Sequence, residues 1–300
     1  MDMTQDKCCR HGANLRRRRR RHRKILRSII FSCSIIAVAV FVAVGSRMIT
    51  SGDGGTNRYD VEAGNNTYDN AVIENSKISE NNKIQNEQSM LDDIMNSTQY
   101  PKQLQELALK NEEALEFVYD YPTEHVKEHT IDLTEEASMD SVPLFVQWDK
   151  RWGYEMYSGN FFAASGCGPT TLSMVVVYLT HNRDASPIAV AKYSKEAGYS
   201  VDGSGSSWTL ISEGCRHYGV KAKTVALDES RMKAELDAGH PIVVNVGPGD
   251  FTDTGHFMVI TGYDDEGFSI NDPNSIEKSG KRWLFKNISS QIRAVWSMYV

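Results

Sequence analysis

The chain has 300 residues, 33 Lys or Arg against 39 Asp or Glu for a net charge of −6, 40% apolar residues and five cysteines. That length suits one or two domains, but the composition is uneven enough that only part of the chain can build a packed core. Two cysteines, Cys167 and Cys215, fall after residue 47, too few for a scaffold built on disulfides.

Residues 1–27 hold eleven Lys or Arg, six of them consecutive at 16–21, against Asp2 and Asp6. This stretch therefore carries +9 and leaves −15 for the remainder. Alone, it would suit a nucleic-acid-binding tail. Its neighbour argues otherwise, because residues 28–46 are 19 uncharged positions rich in Ile, Val, Ala and Phe. A helix rising about 1.5 Å per residue would carry this run nearly across a roughly 30 Å hydrocarbon layer. A basic N-terminal flank stays in the cytoplasm, so the expected topology is one crossing, with residue 47 onward outside. The lipid bilayer becomes the expected partner, and nucleic acid does not. Ala43-Val44-Gly45 offers a small-x-small cleavage site, but the charged leader and the apolar run both exceed signal-peptide dimensions. The run is read as an uncleaved anchor.

Residues 47–99 are dominated by Asn, Ser, Gly, Glu and Asp without clear periodicity, which predicts a flexible, disordered stalk. Within the next segment, 100–140, Leu104, Leu107, Ala108, Leu115 and Val118 fall near helical spacing. They predict an amphipathic helix over 101–118, ending before Pro122, followed by an acidic connector. The folded domain is expected over 141–300, opening at Val142-Pro143-Leu144-Phe145-Val146.

In that domain, 169–181 reads as a buried helix with Leu172, Val175, Val176 and Leu179 on one face. Ser186-Pro187 is a cap followed by Pro at the first helical position, opening a helix that closes at Gly198. Residues 207–218 suit another helix, 220–227 a strand, and Asp228 caps a helix running to Gly239. Short β-rich runs come next at 241–246, 256–263, 267–271, 281–285 and 294–299. Helices first and an antiparallel sheet afterwards predict an α+β domain.

The chemistry centres on Ser165-Gly166-Cys167-Gly168-Pro169-Thr170, which sets a cysteine between glycines at a helix start. The partial positive charge of a helix N-terminus favours thiolate, the nucleophilic form. The flanking glycines are expected to let a substrate backbone approach. A thiolate needs a base that can return a proton to a leaving amine, and His256, opening an apolar strand after Thr254-Gly255, is the best placed histidine. The imidazole in turn needs a group that holds its orientation. Asp272 ends the next strand, and a tight turn at Asp265-Glu266-Gly267 would fold it back beside His256. Asn271 should point to the opposite face, since side chains alternate along a strand. A developing oxyanion also needs donors, and the Cys167 N–H is one. No metal-ligand spacing, phosphate-binding glycine loop or dinucleotide fingerprint is present.

The ordered set Pro143-Leu144-Phe145-Val146-Gln147-Trp148-Asp149, Ser165-Gly166-Cys167-Gly168-Pro169-Thr170, Thr254-Gly255-His256-Phe257 and Asn271-Asp272-Pro273-Asn274-Ser275 resembles the C-thirty-nine-like peptidases of bacteria, papain-clan enzymes related to the bacteriocin-processing, double-glycine leader peptidases. The resemblance covers about residues 100–300. It implies a papain-like fold, a peptide or protein substrate, peptide-bond hydrolysis and no cofactor. By the same resemblance Cys167 is the nucleophile, His256 the base, Asp272 the orienting carboxylate and Gln147 the oxyanion donor. Two other readings stay open. One is an amidase or acyltransferase acting on cell-wall peptides with the same residues, and the other is a non-catalytic peptide-binding module in which Cys167 pairs with Cys215.

Overall fold

The computed structural model describes residues 66–300, so the basic tail, the anchor at 28–46 and the first part of the stalk lie outside the described residues. Among the described residues no helix is long and apolar enough to cross a membrane. The chain divides into units Met1–Asp69 and Asn70–Val300, and the second contains the folded domain.

Where the latter part of the stalk was expected to lack regular structure, Asn66–Asn96 is a 31-residue helix. It contains neither Gly nor Pro, the residues that most disfavour helix, so its polar composition does not prevent it. Its last turns are apolar: Ile94 is fully buried, with Met90 and Leu91 packed around the same cluster.

The predicted helix over 101–118 divides into Lys102–Lys110 and Leu115–Tyr119. The break falls at Asn111, whose backbone is extended at φ −126° and ψ 106°. Its side chain bonds elsewhere, which gives the backbone an alternative to the helix. Pro122 stands at the start of a further short helix, Tyr121–Glu124, where proline is tolerated. Leu104, Leu107, Leu115, Phe117 and Val118 bury together with Phe161 and Ala163. Leu133 and Ala137, in the expected connector, belong to the main core. The segment ahead of the domain is thus packed onto it.

There are two small hairpins, β1 (Met156–Tyr157) with β2 (Asn160–Phe161), and β3 (Ser200–Val201) with β4 (Gly205–Ser206), the last strand lying against the central helix Cys167–Thr180. Strands of two residues have no readable period, so the sequence did not announce them. The main sheet comprises β5 (Lys221–Thr224), β6 (Ile242–Val246), β7 (His256–Asp264), β8 (Gly267–Asn271), β9 (Arg282–Trp283) and β10 (Ile292–Tyr299). Its order is β5-β10-β6-β7-β8-β9, every neighbouring pair antiparallel. The helices-then-antiparallel-sheet organisation is that of an α+β domain.

Side-chain alternation lets this sheet bury both faces. Val243, Phe257, Val259, Trp296 and Met298 pack with Leu172, Val175 and Val176 of the central helix. The alternate set, Ile242, Val244, Val246, Met258, Ile260 and Val295, packs with Met232 of the helix Glu229–Asp237 and with Ile288. Two predicted caps are present: Ser186 Oγ accepts from Ala189 N–H at 3.3 Å, and Asp228 Oδ1 from Arg231 N–H at 3.0 Å. The predicted helix at 207–218 is instead Thr209–Ser212 followed by a 3-10 turn, Gly214–Tyr218.

Candidate active site

Cys167 is the first residue of the central helix, and that helix lies against β7. A buried apolar helix must seat its first turn tightly, and the two glycines make this possible. A Cβ on Gly168 would stand 2.5 Å from Ser206 Oγ, and one on Gly166 would stand 2.6 Å from the Phe162 ring. The glycines therefore admit Ser206 and Phe162, a packing role that the sequence reading did not include. Ser206 is itself held by Tyr157, whose hydroxyl lies 2.7 Å from its Oγ.

Cys167 is half-buried beside His256, the first residue of β7, whose charge favours its thiolate. His256 Nε2–H donates to Asp272 Oδ1 at 2.7 Å, which leaves Nδ1 for the sulfur. His256 is 6% exposed and Asp272 0%. The turn at residues 265 and 266 returns β8 beside β7, with Asp264 opposite Gly267 and Val259 opposite Asn271. Asp272 comes directly after. Asn271 points the other way, as alternation requires, and donates through Nδ2 to the carbonyls of Val142 and Pro143 at 3.0 and 3.1 Å.

The electrostatics of the pair arise from these contacts. Burial alone would push the Cys167 thiol up. The hydrogen bond and charge of His256, with the N–H groups of Phe257 and Gly168, outweigh it and hold the thiol below its ordinary value. Burial would likewise lower His256, but the adjacent Asp272 carboxylate dominates and raises it to about 10. The two sites lie on one proton equilibrium and titrate as a pair. Their mutual shifts favour thiolate with imidazolium over thiol with imidazole.

Gln147 is 4% exposed. Its backbone N–H donates to Pro273 O at 2.7 Å, and its side-chain Nε2 donates to Ala163 O at 2.8 Å. It therefore bridges the residue after Asp272 and a residue four before Cys167. One amide hydrogen is used on Ala163, and Oε1 is buried with no hydrogen-bond partner among the described residues.

The other histidines of the domain are engaged elsewhere. His181 Nδ1 meets Ala137 O at 2.8 Å, His217 stacks on Tyr193 with centroids 4.1 Å apart, and His240 Nδ1 meets Glu235 Oε2 at 3.2 Å. Cys167 and Cys215 are both free, so the expected alternative of a disulfide between them is not present. Cys215 is buried, which pushes its thiol up to about 11. Among the described residues no group of three His, Cys, Asp or Glu side chains is placed to hold a metal ion.

Comparison with known proteins adds four findings. The model of the Peptidase C39 like family matches residues 139–300, more than half of the chain. Among solved structures, the chain is similar to the peptidase domain of Streptococcus ComA, a bi-functional ABC transporter involved in a quorum sensing pathway, at 18% identity and TM-score 0.39, covering 53% of this chain and 96% of that one. It is also similar to a C39-like peptidase from Bacillus anthracis, at 17% identity and TM-score 0.34, covering 53% of this chain and 95% of that one. No curated protein matches the chain.

Proposed function

The chain belongs to the Peptidase C39 like family, and on that premise we propose that it is a papain-like cysteine peptidase working through Cys167, His256 and Asp272. The observation that carries the reading is the buried His256–Asp272 hydrogen bond beside a cysteine at a helix start, three side chains from separate elements, with the charge of His256 favouring the thiolate.

In this mechanism the Cys167 thiolate attacks the carbonyl carbon of a peptide or protein substrate, and the carbonyl electron pair moves onto oxygen. The oxyanion is met by the Cys167 backbone N–H and by the second amide hydrogen of Gln147 Nε2. As the C–N bond breaks, the His256 imidazolium gives its proton to the departing amine, leaving a thioester. Water then attacks the thioester, passing a proton to His256, and the carboxylic product leaves with the thiolate restored. Asp272 accepts from Nε2–H and holds the ring so that Nδ1 faces the sulfur. The chain supplies these steps with its own side chains.

The sequence supports a location as well. A +9 flank before an uncharged run at 28–46 favours an anchor in the bilayer with the catalytic domain outside the cytoplasm.

Two measurements test the peptidase and a third its location. Iodoacetamide at neutral pH is expected to modify Cys167 and spare Cys215, which is buried with its thiol near 11. Cys167→Ala should lower kcat on a peptide substrate by on the order of a millionfold, and unchanged turnover would discard the peptidase. On intact cells, labelling of Cys167 by a membrane-impermeant thiol reagent is expected, whereas labelling only after lysis would place the domain inside.

A further inference from the structure

The carboxylate beside His256 is itself held by residues that precede the family domain. Asp272 begins a tight loop in which Ser275 N–H donates to Asp272 O at 3.1 Å and Asn274 N–H donates to Asp272 Oδ1 at 2.8 Å. That Oδ1 is the atom His256 Nε2–H donates to, so the placement of the Asn274 peptide sets the carboxylate against the ring. Oδ2 is buried without a hydrogen-bond partner among the described residues, so Oδ1 alone anchors the group.

The Asn274 peptide is in turn pinned from a distance. Asn111 Nδ2 donates to Asn274 O at 3.0 Å and to Asn274 Oδ1 at 3.1 Å, and Trp148 Nε1–H donates to the same carbonyl at 3.3 Å. Glu113 takes the rest of the loop: one carboxylate oxygen accepts from Ser275 Oγ, and the other from the N–H groups of Ile276 at 2.7 Å and Glu277 at 3.1 Å. Ser275 is 4% exposed, and its Oγ also accepts from Lys278 N–H at 3.0 Å. Asn111 and Glu113 are fixed to each other, because Glu113 N–H donates to Asn111 Oδ1 at 3.0 Å. This explains the break between the two helices: an extended Asn111 lets both side chains face the loop.

We propose that Glu113, with Asn111, is a positioning residue of the peptidase site. It holds the 274–277 loop so that Asp272 Oδ1 meets His256, and the helical segment ahead of residue 139 is therefore a working part of the enzyme. The inference rests on the peptidase reading. A carboxylate accepting two backbone N–H groups and a hydroxyl makes charge-assisted bonds, stronger than neutral ones and directional enough to fix a loop. Asp272 can share the negative charge needed by the imidazolium only from one position, and a loop freed by even about 1 Å would lose it.

The test uses the full chain, wild type and carrying Glu113→Ala or Glu113→Gln, with melting temperatures measured for each. Two quantities are read: kcat and KM on a peptide substrate, and the pH at which alkylation of Cys167 is half-maximal. In wild type that midpoint should lie below the ordinary thiol value of about 8.5. Glu113→Ala should move it upward toward that value and lower kcat by on the order of tenfold to a hundredfold with KM little changed. Glu113→Gln, which keeps one acceptor oxygen, should fall between. Folded variants with wild-type midpoint and kcat would overturn the proposal, as would a loss of activity that only tracks the folded fraction while the midpoint stays put. An ordinary midpoint in wild type itself would instead remove the peptidase reading, and this inference with it.

Discussion

The two halves of the site are built by different means. The nucleophile half is local, with Cys167 at a helix start, glycines on either side, and Ser206 and Phe162 filling the space the glycines leave. The base half is assembled across the chain. His256 and Asp272 are 16 residues apart, Asn271 reaches residues 128 and 129 positions earlier, and Glu113 binds groups 162 to 164 positions later. The contrast teaches where each half is vulnerable. Apart from the sulfur itself, disturbing the nucleophile half should appear first as lost packing around the glycines, and disturbing the base half as lost protonation control with the fold intact.

The sharpest way to break this contrast is Asp272→Ala. It should lower kcat by on the order of ten-thousandfold. In wild type the kcat/KM profile should rise as the thiol ionises, at a pH below the ordinary thiol value, and fall as the imidazolium deprotonates, near 10. Without the carboxylate, His256 loses the charge that raises it, so the alkaline limb should move down toward ordinary imidazole values and the acid limb up. Limbs that stay in place would show that Asp272 does not govern the pair.

Gly168→Ala probes the other half and should cost about 1 to 3 kcal/mol by overpacking. The new methyl meets a serine whose hydroxyl is already bonded to Tyr157. Thermal unfolding measures the loss, and adding Ser206→Gly should restore most of it. A variant as stable as wild type would mean that the helix start is not tightly seated. The smallest effect is expected at Ser186, a cap with no bond to either half. Ser186→Ala should cost about 1 kcal/mol by denaturant titration while leaving kcat/KM unchanged. A drop in kcat/KM there would show that stability alone reaches the chemistry, and the contrast would lose its meaning.

Much of this arrangement can be read from residues close together in the chain. The cysteine between glycines marks a helix start, and apolar spacing marks the body of that helix. The Asp265-Glu266 turn brings β8 back beside β7, but strict alternation from that turn would put Asn271 on the face of His256; the register shift between Ile260 and Gly262, which nothing in the sequence announces, puts Asp272 there instead. The same reasoning did not foresee that the glycines at 166 and 168 accommodate Phe162 and Ser206, which have nothing in sequence to announce them. It also took 66–96 for disordered stalk, since composition weighs polarity more heavily than the absence of helix breakers.

What the sequence by itself determined is the order of elements and the residue types that can ionise, accept and donate, because these depend on neighbours within a few positions. Only the tertiary structure decided that Asn111 and Glu113 close on the loop after Asp272, that Gln147 ties Pro273 to Ala163, and that Cys215 stays apart from Cys167. Those contacts carry no periodicity, since each is a single polar side chain meeting backbone groups far along the chain. Their energy is available only after the helices and the sheet have packed, and loop closure over such distances is a property of the whole fold rather than of any local preference.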